Sequence, residues 1–136
     1  EIEAAESIVF LADNAGEIVL DRLLIEQLPM NKTTVVVRGK PILNDALYEE
    51  ARQAGLTDIV RVLENGDNTP GTDLFHCSHE VVRAFQEADL ILAKGQGNYE
   101  TLSDTDANIV FLLKAKCPVV AEHIGCQLND ALILHR

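Results

Sequence analysis

The chain has 136 residues and a mass of 14.9 kDa, the length of one domain that buries roughly two thirds of its unfolded surface. Hydrophobic residues make up 47% and charged residues 24% of the sequence, which excludes a disordered tail, a collagen-like repeat and a coiled coil. Eleven basic and 22 acidic side chains give a net charge of −11, so we expect no nucleic-acid and no membrane partner, and an anionic substrate needs a local cation.

From the N-terminus onward, the sequence alternates predicted strands with predicted helices. It gives in order a strand (7–12), a helix (17–28), a strand (33–37), a helix (46–55), a strand (59–63), a helix (78–87), a strand (89–93), a short turn or helix, and strands at 108–113 and 118–121. The first strand is a continuous apolar run, as expected of a parallel strand that is buried on both faces. The alternation predicts an α/β fold, namely a three-layer, doubly wound, mostly parallel, Rossmann-like sheet with helices on both faces.

No linker or repeat divides the chain, so we expect one α/β domain over residues 1–136. The chain opens at Glu1 and its only methionine is Met30, which predicts that it is a fragment of a longer polypeptide. The three cysteines are scattered and odd in number, which favours reduced thiols and a cytoplasmic location.

Ligands of an open parallel sheet bind beyond the carboxyl ends of its strands, so the polar residues that follow the predicted strands are the candidates for a site. They are Asp13, Asn14, Lys40, Asn44, Asp45, Asn65, Asp67, Asn68, Lys94 and Asn98. Asp13, Asn14 and Asp45 form an all-oxygen set of the kind that binds Mg²⁺ or Mn²⁺ and leaves positions open for a substrate phosphate. The alternative is that Asp13 and Asn14 are turn residues and that Asp45 caps a helix.

The segment Lys94–Asn98, with the sequence KGQGN, follows a predicted strand. Its backbone N–H groups can surround phosphate oxygens while the lysine adds a positive charge. It is neither a P-loop nor a dinucleotide-binding motif, because it lacks the GK[ST] ending and has Glu100 at the third glycine position. A plain turn with a solvated lysine is the alternative.

Three segments stand out in this order along the chain: LADNAGE (11–17), VRGKPILNDA (37–46) and KGQGNYETL (94–102). Together they resemble the DUF89 family of metal-dependent damage-control phosphatases. The resemblance covers nearly the whole chain and corresponds to the C-terminal α/β domain of that family. It therefore implies that an N-terminal helical domain of the same protein is missing from this sequence.

The resemblance implies an enzyme that hydrolyses phosphate monoesters, such as sugar phosphates or damaged phosphometabolites, with Mn²⁺ or Mg²⁺, or alternatively Co²⁺ or Ni²⁺. It assigns Asp13, Asn14 and Asp45 to the metal and leaves the role of Glu17 open. Attack on phosphorus by a water that the cation activates is favoured over attack by Asp13 or Asp45, because both acids are wanted as ligands.

The same resemblance places Lys94 on the substrate phosphate, where it would take part in catalysis together with the two acids. It places Gly95 and Asn98 in the same substrate pocket. A non-catalytic domain that binds a nucleotide or a sugar phosphate is the alternative function, since these residues could hold a phosphate without turnover.

Overall fold

The strands form where apolar and β-branched residues follow one another in the sequence. The computed structural model describes residues 1–136, and its strands are β1 (Ile8–Leu11), β2 (Thr33–Val37), β3 (Arg61–Glu64), β4 (Leu90–Lys94), β5 (Ile109–Lys114) and β6 (Ala131–His135). All four residues of β1 are buried, as a parallel strand with both faces covered requires.

Five short helices connect the strands. They are α1 (Ile18–Ile25), α2 (Tyr48–Gln53), α3 (His79–Glu87), α4 (Gly95–Leu102) and α5 (Pro118–Ile124). The start of α3 is fixed by Ser78, whose hydroxyl accepts a hydrogen bond of 3.4 Å from the N–H of Val81. No helix combines the length and the apolar character that crossing a membrane demands.

The six strands form one sheet in the order β3-β2-β1-β4-β5-β6. The first five strands are parallel to one another, and β6 is antiparallel to β5. Leu11 at the end of β1 pairs with Val36 of β2 on one side and with Ala93 of β4 on the other. The strand order reverses at this point, so the predicted α/β fold is confirmed and the loops after β1, β2 and β4 meet at one edge of the sheet.

The helices divide the core into two layers, one on each face of the sheet. Alternate residues of β1, such as Ile8 and Phe10, pack with α1 and α2 on what we call the α1–α2 face. The intervening residues Val9 and Leu11 pack with α3, α4 and α5 on the opposite face. Right-handed crossovers produce this division, because the chain moves across the sheet in one direction as far as β3 and in the other direction afterwards.

Coverage of the α1–α2 face stops before β5 and β6. On this face, Val110 and Leu112 of β5 are half-buried, and Ile133 of β6, which pairs with Leu112, is 80% exposed. On the opposite face of β5, Ile109 and Phe111 are buried. We call the exposed apolar region of Val110, Leu112 and Ile133 the open half-face.

At the C-terminal end of the chain, one predicted strand was wrong and one strand was missed. Residues 118–121 form part of α5 rather than a strand, because Pro118 suits the first helical position and Gly125, with a φ of 82°, ends the helix. The strand β6 was not predicted. Its apolar residues alternate between half-buried and exposed, which is a weak signal for a short strand at the edge of a sheet.

The second helix also begins later than predicted. It starts at Tyr48, and the N–H of Leu47 donates a hydrogen bond of 3.0 Å to the Glu50 carboxylate. Asp45 lies before this turn and therefore does not cap α2, so the alternative interpretation of Asp45 as a helix cap was wrong.

Candidate metal and phosphate site

The loops after β1 and β2 are joined by backbone hydrogen bonds. Asn14 and Asp45 form an antiparallel bridge, the N–H of Ala15 donates to the carbonyl of Asn44 at 2.8 Å, and the N–H of Ala46 donates to the carbonyl of Asp13 at 2.8 Å. The structure thus brings the backbones of Asp13, Asn14 and Asp45 together, although 31 residues separate the two aspartates in the sequence.

Asp13 carries the clearest electrostatic signal of the site. Its pKa is raised to about 6, first by burial and then by the negative charges of Asp45 and Glu17, while Arg38 and Lys116 act in the opposite direction. No hydrogen-bond donor within the chain contacts its carboxylate. Burial first, and the neighbouring carboxylates second, therefore disfavour the charged form of Asp13, and a bound cation would favour that form.

Asn14 is a turn residue in the structure, and this role leaves it able to bind a metal as well. Its side-chain Oδ1 accepts a hydrogen bond of 2.8 Å from the N–H of Gly16, which is a local Asx-type contact. This contact fixes the orientation of the amide. The oxygen keeps a second lone pair, so its use as a metal ligand stays a prediction.

Asp45 is held by a buried arginine. The Nε of Arg38 donates to Asp45 Oδ2 at 2.7 Å, and the Arg38 side chain is only 3% exposed. The guanidinium also donates to Thr72 Oγ1 at 3.2 Å and to Asn98 Oδ1 at 3.4 Å. Arg38 was not among the candidate residues named from the sequence, although it directly follows the predicted strand at 33–37.

Asn98 lies inside this polar network rather than on the surface of a pocket. It is 0% exposed, and its Oδ1 accepts a hydrogen bond of 2.8 Å from the Thr72 hydroxyl. Its Nδ2 donates to the carbonyl of Lys94 at 2.7 Å. Contact between Asn98 and a substrate stays a prediction, and the structure shows that its amide stabilises the ends of the strands.

Lys94 is paired with two acids of the first helical segment. Its Nζ donates to Asp21 Oδ1 at 2.5 Å and to Glu17 Oε2 at 3.1 Å. Burial alone would lower the pKa of Lys94, but the hydrogen bonds and charges of Asp21 and Glu17 outweigh it and raise that pKa. The lysine is therefore a fixed positive charge, and Glu17, whose role the sequence left open, is one of its partners.

A cavity of about 520 Å³ opens beside these residues. Its polar lining includes Asp13, Glu17, Lys94 and two further lysines, Lys114 and Lys116, at the end of β5. Neither lysine was among the candidate residues named from the sequence, although both follow the predicted strand at 108–113 as the other candidates follow theirs.

The start of α4 borders the same cavity through Gly95 and Gln96. Gln96 and Gly97 lie in the first turn of α4, where backbone N–H groups have no partner in the preceding turn of the helix. Gly95 also touches Asp13, because a Cβ added to it would lie 2.0 Å from Asp13 Oδ2. The carboxylate, the helix start and the lysines therefore surround one space.

The donor set fits a hard divalent cation better than it fits zinc. No three His, Cys, Asp or Glu side chains converge as a metal site, and the predicted set has two carboxylates and one amide. Mg²⁺ commonly binds through one or two carboxylates and fills its other positions with water and substrate phosphate. The Asp13 carboxylate, which is partly buried and accepts no hydrogen bond within the chain, agrees with such a site.

The family model and two relatives that match this chain carry the same description. Residues 1–132 match the family described as the damage-control phosphatase ARMT1-like domain. A damage-control phosphatase of Pyrococcus horikoshii is 44% identical over 128 residues, which cover 91% of this chain and 45% of that protein. A damage-control phosphatase of Archaeoglobus fulgidus is 46% identical over 127 residues, which cover 90% of this chain and 44% of that protein.

The fold has a close counterpart among solved structures. The crystal structure of a DUF89 family protein from Pyrococcus horikoshii superimposes with a TM-score of 0.94 and 38% sequence identity, covering 98% of this chain and 48% of that one. The chain thus spans about half the length of the relatives that it matches.

Proposed function

The chain belongs to the damage-control phosphatase ARMT1-like domain family, and we propose that it hydrolyses small phosphate monoesters with the help of a divalent cation. The observation that supports this most is the junction of the β1 and β2 loops, which joins the backbones of Asp13, Asn14 and Asp45, with Asp13 lining a cavity that lysines also line. Carboxylates for a cation and positive groups for a phosphate are the two components that this reaction needs.

Asp13, Asn14 and Asp45 would hold the cation, Mn²⁺ or Mg²⁺ being the first choice and Co²⁺ or Ni²⁺ the next. When bound, the cation neutralises phosphate oxygens and activates the attacking water. Asp13 and Asp45 are then engaged as ligands, so we propose water rather than either aspartate as the nucleophile. Glu17 stays paired with Lys94 and holds it at the rim of the cavity.

The phosphate would lie between the start of α4 and the lysines of the cavity. Gly95 and Gln96 line the cavity at the first turn of an eight-residue helix, where the helix dipole and the free N–H groups of the first turn favour a negative charge. Lys114 and Lys116, which form no ion pair within the chain, add positive charge beside the cavity, whereas Lys94 shares its charge with Asp21 and Glu17. This local field offsets the repulsion that a phosphate dianion meets from a chain with a net charge of −11.

The cavity suggests a substrate of moderate size. Its volume of about 520 Å³ fits a sugar phosphate or a similar phosphometabolite, and side chains such as Leu112 and Ile133 line the part away from Asp13. We propose that the carbon skeleton of the substrate lies toward β5 and β6 while its phosphate lies toward α4.

The relatives' polypeptides are about twice as long as the matched region. We propose that an N-terminal helical domain of the same protein is the partner of this chain, and that it covers the open half-face of Val110, Leu112 and Ile133. An apolar strand surface beside a site is expected to be covered in the complete protein. We propose a cytoplasmic location, because three scattered cysteines that form no disulfide suit a reducing compartment.

Phosphate release from p-nitrophenyl phosphate and a panel of sugar phosphates tests the proposed reaction. We expect release with Mn²⁺, loss of release with EDTA, and loss in Asp13→Asn. Asp58→Asn is the matched control, because Asp58 is exposed and precedes β3 at the opposite edge of the sheet. Phosphate release that persists in EDTA contradicts the proposed need for a divalent cation. Tight phosphate binding without release favours a non-catalytic binding domain.

A further inference from the structure

We propose that Arg38 is the positioning residue of the cation site, which holds the Asp45 carboxylate in its binding orientation through a buried network that includes Thr72 and Asn98. This inference rests on the proposed function, because it concerns the cation that Asp13, Asn14 and Asp45 would hold. It assigns a role in cation binding to residues that do not themselves contact the cation.

The contact between Arg38 and Asp45 uses one nitrogen of the guanidinium and one oxygen of the carboxylate. Arg38 donates from Nε to Asp45 Oδ2 at 2.7 Å, and Asp45 Oδ1 has no hydrogen-bond partner within the chain. The Asp45 side chain is 10% exposed, so one of its oxygens is fixed while the carboxylate stays at the edge of solvent. A charge-assisted bond of this length removes much of the rotational freedom that a free aspartate has.

The guanidinium is itself held from behind. Its two terminal nitrogens donate to Thr72 Oγ1 and Asn98 Oδ1, and the Thr72 hydroxyl donates to the same Asn98 oxygen at 2.8 Å. Thr72 and Asn98 are both 0% exposed. Asn98 is fixed to two strand ends, since its Nδ2 donates to the carbonyls of Lys94 and Ala12.

The hydrogen bonds of Arg38 to Thr72 and Asn98 distinguish two roles that a buried arginine beside acids can have. One role is a counter-charge that balances the acids of a metal-free site and moves away when a cation arrives. Arg38 has no path for such a movement, because its side chain is 3% exposed and two buried side chains accept its terminal N–H groups. It therefore stays in place beside the bound cation and acts by orienting Asp45.

The two roles predict effects of opposite sign on cation affinity. A positive charge near a divalent cation repels it, so removal of a mere counter-charge strengthens binding. Removal of a positioning group weakens binding, because groups that orient metal ligands typically change metal affinity about 10- to 100-fold. The sign of the change thus separates orientation from charge balance.

The experiment measures the dissociation constant of Mn²⁺ for the 136-residue chain, by titration calorimetry and by the electron paramagnetic resonance signal of free Mn²⁺. The variants are Arg38→Met, which removes the charge and all donors, and Arg38→Lys, which keeps the charge but loses the planar fork. Thr72→Val keeps the shape of its side chain and removes one anchor while leaving Arg38 and Asp45 unchanged. Arg61→Met is the control, because Arg61 forms only an exposed ion pair with Glu80.

We expect Arg38→Met to raise the dissociation constant about 10- to 100-fold. We expect Arg38→Lys and Thr72→Val to raise it by a smaller factor and Arg61→Met to leave it unchanged. Thermal unfolding of each variant is measured without metal, to check that the variant is folded at the temperature of the Mn²⁺ titration. If Arg38→Met does not fold, Thr72→Val tests the inference instead. This variant keeps Arg38 and Asp45, so weaker Mn²⁺ binding would come only from the lost hydrogen bond between Arg38 and Thr72.

Two outcomes would overturn the inference. If Arg38→Met or Thr72→Val binds Mn²⁺ as tightly as the wild type, or more tightly, then Arg38 does not position Asp45. If the wild type binds no Mn²⁺ even at millimolar concentration, the proposed cation site fails and the inference fails with it. The first result leaves the proposed function standing, so the two failures are distinguishable.

Discussion

Asp45 is joined to a guanidinium that is almost wholly shielded from water, and this contact makes the residue structural as well as functional. The Arg38 side chain is 3% exposed and the Asp45 side chain is 10% exposed. Loss of one partner from a buried ion pair leaves the other charge desolvated and uncompensated. Substitutions at Asp45 are therefore expected to change stability as well as the proposed metal binding.

Asp45→Ala is expected to lower the free energy of unfolding by about 3–5 kcal/mol, because it leaves the Arg38 guanidinium without its carboxylate. Urea denaturation without metal measures this effect. Glu6→Ala is the control, since it removes the exposed partner of Lys32 and should cost less than about 1 kcal/mol. Equal costs for the two substitutions would show that the buried pair adds no stability of its own.

Asp13 differs from Asp45 because no cationic group donates a hydrogen bond to it. Burial, Asp45 and Glu17 raise its pKa to about 6, so ionising Asp13 costs free energy in the folded, metal-free protein. The unfolded chain ionises the same group near the ordinary value of 3.8. The contribution of Asp13 to stability is therefore highest below about pH 4 and falls as the pH rises toward 6.

Asp13→Asn should have little effect on stability at pH 4 and should stabilise the metal-free protein by about 3 kcal/mol at pH 7.5, since one pKa unit corresponds to about 1.4 kcal/mol. Urea denaturation in EDTA at the two pH values provides the measurement. Asp58→Asn, at an exposed position, should show no such pH dependence. A difference between wild type and Asp13→Asn that is the same at both pH values would contradict the proposed cause.

At the scale of elements, the turn between β4 and α4 determines whether the site can form. Gly95 has a φ of 81°, and a Cβ on it would lie 2.0 Å from Asp13 Oδ2. Backbone conformation and side-chain space therefore both require glycine at this position. The close approach lets the Asp13 carboxylate lie against the first residue of α4, where the phosphate is proposed to bind.

Gly95→Ala is expected to weaken Mn²⁺ binding at least about tenfold, because the new methyl group displaces the Asp13 carboxylate that would bind the cation. Gly125→Ala is the matched control. Gly125 has a similar φ of 82°, but nothing lies within 4 Å of its added Cβ. Both variants bear about 1–2 kcal/mol of backbone strain, measured by urea denaturation, and only Gly95→Ala should change the Mn²⁺ dissociation constant.

At the scale of the whole molecule, the two faces of the sheet are covered unequally. Helices α3, α4 and α5 cover the opposite face as far as β5, where Phe111 is 0% exposed. On the α1–α2 face the helices end before β5, and Ile133 is 80% exposed. The crossover rule explains this asymmetry, because only the first two connections of the chain place helices on the α1–α2 face.

The open half-face should bind an apolar dye in the isolated chain. We expect Ile133→Glu to reduce the fluorescence of bound anilinonaphthalene sulfonate strongly, because it places a charge in the middle of this surface. Val119→Glu is the control, since Val119 is 73% exposed but lies on α5 and outside the open half-face. Similar fluorescence losses in both variants would show that the dye does not report on the open half-face.

Local sequence patterns account for the central strands and place Asp13, Asn14 and Asp45 among the candidate residues at their ends, and the resemblance to the DUF89 family assigned these three to a metal. The apolar runs of β1, β2 and β4 are long enough to be buried on both faces, and the rule that ligands bind at the carboxyl ends of parallel strands needs only their order. The α/β class, five of the six strands and the candidate metal ligands therefore followed from the sequence.

The tertiary structure alone decided which side chains hold that site together. The bonds of Arg38 to Thr72 and Asn98 join residues that are 34 and 60 positions apart, and Lys94 is 73 residues from Asp21. No periodicity or local motif encodes such pairings, because they arise only when the folded sheet brings separate strand ends together. The sequence by itself determined the strands and the acids at their ends, and packing decided that Arg38 points inward and that Lys94 faces α1.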